Sequence, residues 1–92
     1  MEIEFTVRAK EDLAYWKKTG NKTVLKKIRA LIENIEQDPF SGIGKPEALK
    51  HDLSGKWSRR ITRADRLVYN IIEETIYIYS VKGHYDYLWP NS

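Results

Sequence analysis

The chain has 92 residues, 41% of them hydrophobic and 12% aromatic, with no cysteine; this suits one thin-cored domain over residues 1–92 and excludes a disordered polymer, a disulfide framework and thiolate metal sites. The net charge of +3 is a mild basic balance that by itself points only weakly to a polyanionic partner. The opening MEIEF carries no apolar leader and no apolar run reaches membrane-spanning length, so the expectation is a soluble, cytoplasmic protein that does not engage a membrane.

Ile3 and Phe5 alternate with Glu2, Glu4 and Thr6, the period of a short half-buried strand. From about Arg8 the period lengthens, and Ala9, Leu13 and Trp16 mark one face of a first helix, with Thr6 or Thr19 as candidate caps. Gly20-Asn21 breaks it. A second helix is predicted from about Lys22 to Glu36, where Val24, Ile28, Leu31 and Ile35 form an apolar stripe that reads as core. Asp38-Pro39 stops it, because a residue before proline avoids the helical region.

Phe40 to Lys56, with Gly42, Gly44, Pro46 and Gly55, is a long punctuated loop, of a length that is often functional in compact domains. Leu49 and Leu53 are expected to tie it to the core. Strands follow at Trp57–Thr62, Arg66–Ile72 and Thr75–Lys82, joined by the short turns Arg63-Ala64-Asp65 and Glu73-Glu74, hence antiparallel. The fold class is α+β: two layers, a two-helix hairpin on one face of a mostly antiparallel sheet of four or five strands.

A three-residue turn would pair Thr62 with Arg66 and Arg60 with Val68. Alternation then puts Ser58, Arg60, Thr62 and Arg66 on one face, and Trp57, Ile61, Leu67, Tyr69 and Ile71 on the helix-covered other. Arg59 falls on the apolar side, where its stem packs and its head is expected to reach water. Continued across Glu73-Glu74, the same alternation puts Tyr77, Tyr79 and Val81 on the arginine face. It leaves His84 on the wrong side unless Gly83 breaks the phase.

The run Lys45–Tyr69, KPEALKHDLSGKWSRRITRADRLVY, gathers a carboxylate, basic side chains and arginines before and within a hairpin. Arginine grips phosphate through two parallel charged hydrogen bonds, and on a strand it also serves as an edge charge against aggregation; periodicity does not separate the two. Metal-free cleavage of RNA needs a base for the 2′-hydroxyl, an acid for the departing 5′-oxygen and cations around the phosphorane. The two histidines, His51 and His84, are far apart and give no metal-ligand spacing. There is no phosphate-binding loop, dinucleotide fingerprint or nucleophile elbow.

That run, with His84-Tyr85 after the last strand and Tyr15-Trp16 in the first helix, resembles the YoeB/Txe toxins of the RelE-like superfamily, whose fold is that of small microbial ribonucleases. The resemblance extends from the first strand to Tyr85 and is densest in LSGKWSRRITRADRLVY. It implies the toxin of a type II toxin–antitoxin system, a ribosome-dependent mRNA endonuclease that cuts in the A site and needs no metal or other cofactor. It casts Glu47 as general base, His84 as general acid, Arg60 and Arg66 as phosphate and transition-state ligands, and Tyr85 as a substrate-positioning residue. Lys50, His51 and Arg59 are expected to contact RNA. The implied partners are a cognate antitoxin, the ribosome with its RNA and mRNA, and a second copy of the chain.

Two departures from the family pattern stand out. Asp65 occupies a place where the family often has His, and the chain continues past the His-Tyr pair with DYLWPNS, residues 86–92. The alternatives are a non-catalytic ParE-like inhibitor of DNA gyrase, or a plain nucleic-acid-binding module in which Glu47 would be dispensable.

Overall fold

The computed structural model describes residues 1–84; Tyr85 and the 86–92 extension lie outside it. The elements in order are β1 (Glu2–Phe5), α1 (Val7–Lys18), α2 (Lys22–Gln37), β2 (Glu47–Ala48), β3 (Trp57–Arg60), β4 (Arg66–Ile72) and β5 (Thr75–Ser80), with a 3₁₀ turn at His51–Leu53. The sheet runs β1-β5-β4-β3-β2. Among the described residues only β1, against β5, is parallel. This is the expected two-helix layer on a mostly antiparallel sheet.

Local chemistry sets the helix limits. The Thr6 hydroxyl accepts from Ala9 N at 3.1 Å, which caps α1, and donates to Tyr79 O at 3.0 Å, which ties the cap to the sheet. Asn21, rather than Thr19, caps α2 by accepting from Val24 N at 3.1 Å. Thr19 lies past the end of α1, its hydroxyl bonded to Trp16 O. Val24, Ile28, Leu31 and Ile35 of α2 are buried against Ile61, Leu67, Tyr69, Ile76, Ile78 and Val81. Each such aliphatic side chain stabilises the fold by roughly 1.5–3 kcal/mol.

The hairpin register differs from the expected one by two residues: Arg60 stands opposite Arg66, and Ser58 opposite Val68. The turn is longer because Asp65 O accepts from both Ile61 N and Thr62 N, drawing Ile61 and Thr62 out of the ladder. A two-residue slip preserves alternation, so Ser58, Arg60 and Arg66 still share the face away from the helices.

Val81 is a correction. A bulge leaves Tyr79 unpaired between Tyr69↔Ile78 and Val68↔Ser80. The extra residue inverts the alternation beyond it, so Val81 joins the helix-side core instead of the arginine face. Leu49 and Leu53 anchor their loop on the open face instead of the main core, packing on Val68 with Tyr79 alongside.

Candidate active site

The site begins with the approach of the 40–46 loop to β3. Gly44 O accepts from Arg60 N at 2.6 Å, and Leu49 N donates to Lys56 O at 2.9 Å. These bonds bracket β2 and set Glu47 opposite Ser58. Gly44 has φ +82, and a Cβ there would lie 2.7 Å from Leu31 Cδ2 and 3.1 Å from Arg59 Cβ. Glycine is what lets the backbone pass this closely.

Arg66 is the hub of the open face. Its Nε donates to the buried Ser58 hydroxyl at 3.0 Å. Its Nη2 lies 3.7 Å from Glu47 Oε2, with side-chain exposures of 12% for Arg66 and 58% for Glu47. That separation gives Coulomb attraction without a hydrogen bond, and Nη2 is a buried donor with no hydrogen-bond acceptor among the described residues. Arg60, directly across the ladder, is exposed. Like charges directly opposite repel, so two guanidiniums here favour an anion bound between them.

Across the sheet the order is β2 with Glu47, β3 with Arg60, β4 with Arg66, and then the segment that leaves β5 toward His84. Gly83 O accepts from Arg66 N at 2.9 Å and Gly83 N donates to Asp65 Oδ1 at 2.8 Å. The backbone leading into His84 is therefore stitched to Arg66 itself, with the exposed His84 next in chain. The strand carrying Glu47 and the segment leading to His84 flank the two arginine strands on opposite sides. Tyr85 lies outside the described residues.

Lys50 and His51 are exposed between the anchors Leu49 and Leu53, and His51 adopts φ 58, a left-handed conformation that costs energy for a non-glycine residue. Lys56 Nζ sits 4.8 Å over the Tyr79 ring on the same face. Burial raises the Tyr79 hydroxyl above its ordinary pKa, opposed by the hydrogen bond that the hydroxyl donates to Asn70 Oδ1 at 2.9 Å.

Arg59 is a correction to the expected RNA contact. Its side chain is fully buried instead of reaching water. Its nitrogens donate to Tyr69 Oη (3.2 Å), Asn34 Oδ1 (2.5 Å), and the carbonyls of Ile43 (3.1 Å), Asp38 (2.7 Å) and Ser41 (3.0 Å). The loop after α2 has closed around the guanidinium, leaving no face for a nucleotide. Tyr69 passes its own proton toward Pro39 O at 2.5 Å. Burial raises its pKa, opposed by the hydrogen bond and charge of Arg59. Asp38, at the lip of the cup, is held below the ordinary carboxylate value chiefly by the Ser41 hydroxyl and then by Phe40 N–H.

Sequence reasoning missed Asp12, which is buried in α1, paired with Arg8 at 3.2 Å and bonded to Val81 N at 3.1 Å. Its only sequence signal is a carboxylate beside an apolar stripe with arginine four residues before it. Among the described residues, no group of three or more His, Asp or Glu is placed to hold a metal, and no helix is long and apolar enough to cross a membrane.

Residues 5–85 match the family described as YoeB-like toxin of bacterial type II toxin–antitoxin system. Toxin YoeB of Escherichia coli (strain K12) is 44% identical over 85 residues, which is 92% of this chain and 100% of that protein. The YoeB dimer from Staphylococcus aureus superimposes with a TM-score of 0.85 at 42% identity, covering 92% of this chain and 98% of that one. The S. aureus YoeB–YefM complex superimposes with a TM-score of 0.84 at 43% identity and the same coverage of both chains.

Proposed function

Because the chain belongs to the YoeB-like toxin family of bacterial type II toxin–antitoxin systems, we propose that it is an endoribonuclease that cuts mRNA in the ribosomal A site by metal-independent acid–base catalysis. The observation that supports this best is the Arg66 hub: a buried guanidinium nitrogen with no hydrogen-bond acceptor among the described residues, with Glu47 on one side and Arg60 across the ladder. A phosphodiester oxygen supplies the acceptor that Nη2 lacks.

In this reading the RNA 2′-hydroxyl attacks the adjacent phosphorus while Glu47 takes its proton. The P–O5′ bond breaks, and His84 gives a proton to the departing oxygen. The upstream fragment then ends in a 2′,3′-cyclic phosphate. Arg60 and Arg66 carry the charge that develops on the phosphorane, Arg66 from a position already partly shielded from water. Tyr85 positions the substrate, and the exposed Lys50 and His51 contact RNA flanking the cut. Arg59 is left out of this set.

The S. aureus relatives, solved as a dimer and with YefM, suggest two partners for this chain: a second copy and a cognate antitoxin. The open arginine face suits an acidic antitoxin segment that folds on binding. The ribosome and its RNA are the third partner.

The test is a purified translation mixture in which mRNA 5′ ends are mapped by primer extension after addition of the protein. New ends at A-site codons, abolished by Glu47→Ala and by His84→Ala, are the expected result. Translation arrest on intact mRNA refutes the nuclease.

A further inference from the structure

We propose that Asp65 is a positioning residue: its carboxylate locks the backbone that carries His84 to the arginine hairpin, so that acid, base and cations move as one body. This rests on the nuclease reading above and adds a residue to it.

Consecutive residues of the hairpin hold both polar backbone atoms of Gly83. Asp65 Oδ1 accepts from Gly83 N at 2.8 Å, and Arg66 N donates to Gly83 O at 2.9 Å. Arg66 is the residue placed on the phosphate, so the peptide preceding the acid is bonded to the backbone of its principal cation. The Asp65 carboxylate is itself fixed. Its second oxygen accepts from the Thr62 hydroxyl at 2.6 Å, and that hydroxyl in turn accepts from Ala64 N at 3.1 Å and Asp65 N at 3.0 Å. With both oxygens engaged, the acceptor facing Gly83 has a single orientation.

A side-chain lock is needed because the ladder has ended. β5 stops at Ser80, and Gly83 has φ +74, where glycine is freest and least self-supporting. The upstream end of the segment is held from the other layer. Val81 N donates to Asp12 Oδ2 at 3.1 Å, Val81 O accepts from Trp16 Nε1 at 2.9 Å, and Lys82 Nζ lies 4.2 Å over the Tyr15 ring. The α1 contacts fix where the segment starts. The hairpin contacts at Gly83 set where it delivers residue 84 relative to Arg66. An acid displaced by about 1 Å forfeits up to roughly a hundredfold in rate.

The experiment compares wild type, Asp65→Ala and Asp65→Asn, where Asn keeps an acceptor oxygen toward Gly83. Cleavage on programmed ribosomes is followed with kcat and KM separated, alongside hydrogen exchange at Gly83 N and the ring signals of ¹³C-histidine-labelled protein, with His51→Gln assigning His84. Asp65→Ala is expected to speed Gly83 exchange about tenfold, to move or broaden the His84 signals, and to lower kcat ~10–100-fold at unchanged KM. Asp65→Asn recovers most of each. Unchanged His84 signals, or wild-type kcat in Asp65→Ala, overturns the proposal. Should Asp65→Ala fail to fold, Thr62→Val, which frees the carboxylate without removing it, must shift the His84 signals in the same direction, and no shift counts against the lock. A wild type that cuts no mRNA defeats the nuclease reading, and exchange and ring signals still decide whether Asp65 holds His84.

Discussion

Replacing Arg59 with Met separates a structural arginine from an RNA-binding one. The side chain is fully buried and makes five hydrogen bonds to Tyr69, Asn34, Ile43, Asp38 and Ser41. At roughly 1.5–3 kcal/mol for each bond to a charged group, simple addition would exceed about 7 kcal/mol. Two effects reduce that. Asp38, Ser41 and Ile43 belong to exposed residues, so their carbonyls regain water once the loop opens. Removing the guanidinium also relieves the penalty of burying a charge. The expected loss is therefore about 3–5 kcal/mol, the range for breaking a buried charged network, against a total of about 5–15 kcal/mol. With a urea slope near 1.5 kcal/mol/M, the unfolding midpoint falls by ~2–3 M. Arg59→Lys does not rescue, because three donors on one nitrogen cannot span the cup. A midpoint within ~0.3 M of wild type, the scale of an ordinary surface change, together with lost mRNA cleavage, would refute the structural role.

The same cup predicts an alkaline limb. Burial lifts the Tyr69 pKa above 10.0, so the unfolded chain ionises first as pH rises. Stability is complete below about pH 10 and declines as pH climbs toward the raised folded value; urea midpoints from pH 8 to 11 should fall less steeply in Tyr69→Phe, and equal slopes would contradict the assignment. Gly44→Ala puts a Cβ 2.7 Å from Leu31 Cδ2 and 3.2 Å from Arg60 O at φ +82. It should cost about 1–3 kcal/mol through strain and overpacking, and a wild-type melting temperature would show that the loop approach has slack.

Periodicity gave the sequence reading its main successes. The α2 stripe Val24, Ile28, Leu31 and Ile35 is buried as read, because helical spacing and apolarity agree there. Arg60 and Arg66 share a face despite a two-residue error in pairing, since faces depend on parity alone. What escaped depends on non-local geometry. The bulge at Tyr79 leaves no mark in the hydrophobic pattern, yet it decides which layer receives Val81. Alternation put Arg59 on the apolar side, but the carbonyls that satisfy it come from a loop that must fold around it. The bonds of Asp65 and Asp12 to Gly83 and Val81 join residues 18 and 69 positions apart, beyond the reach of any local pattern.

The most direct test of the proposed chemistry uses a ribosome-bound mRNA carrying a single 2′-deoxy nucleotide 5′ to the scissile phosphate, in parallel with its all-ribose twin. A mechanism in which Glu47 activates the 2′-hydroxyl and His84 protonates the leaving oxygen predicts that the all-ribose strand is cut to a 2′,3′-cyclic phosphate and the deoxy strand is left whole. Cleavage of the deoxy strand at a comparable rate, or a 3′-hydroxyl on the upstream fragment, would contradict it.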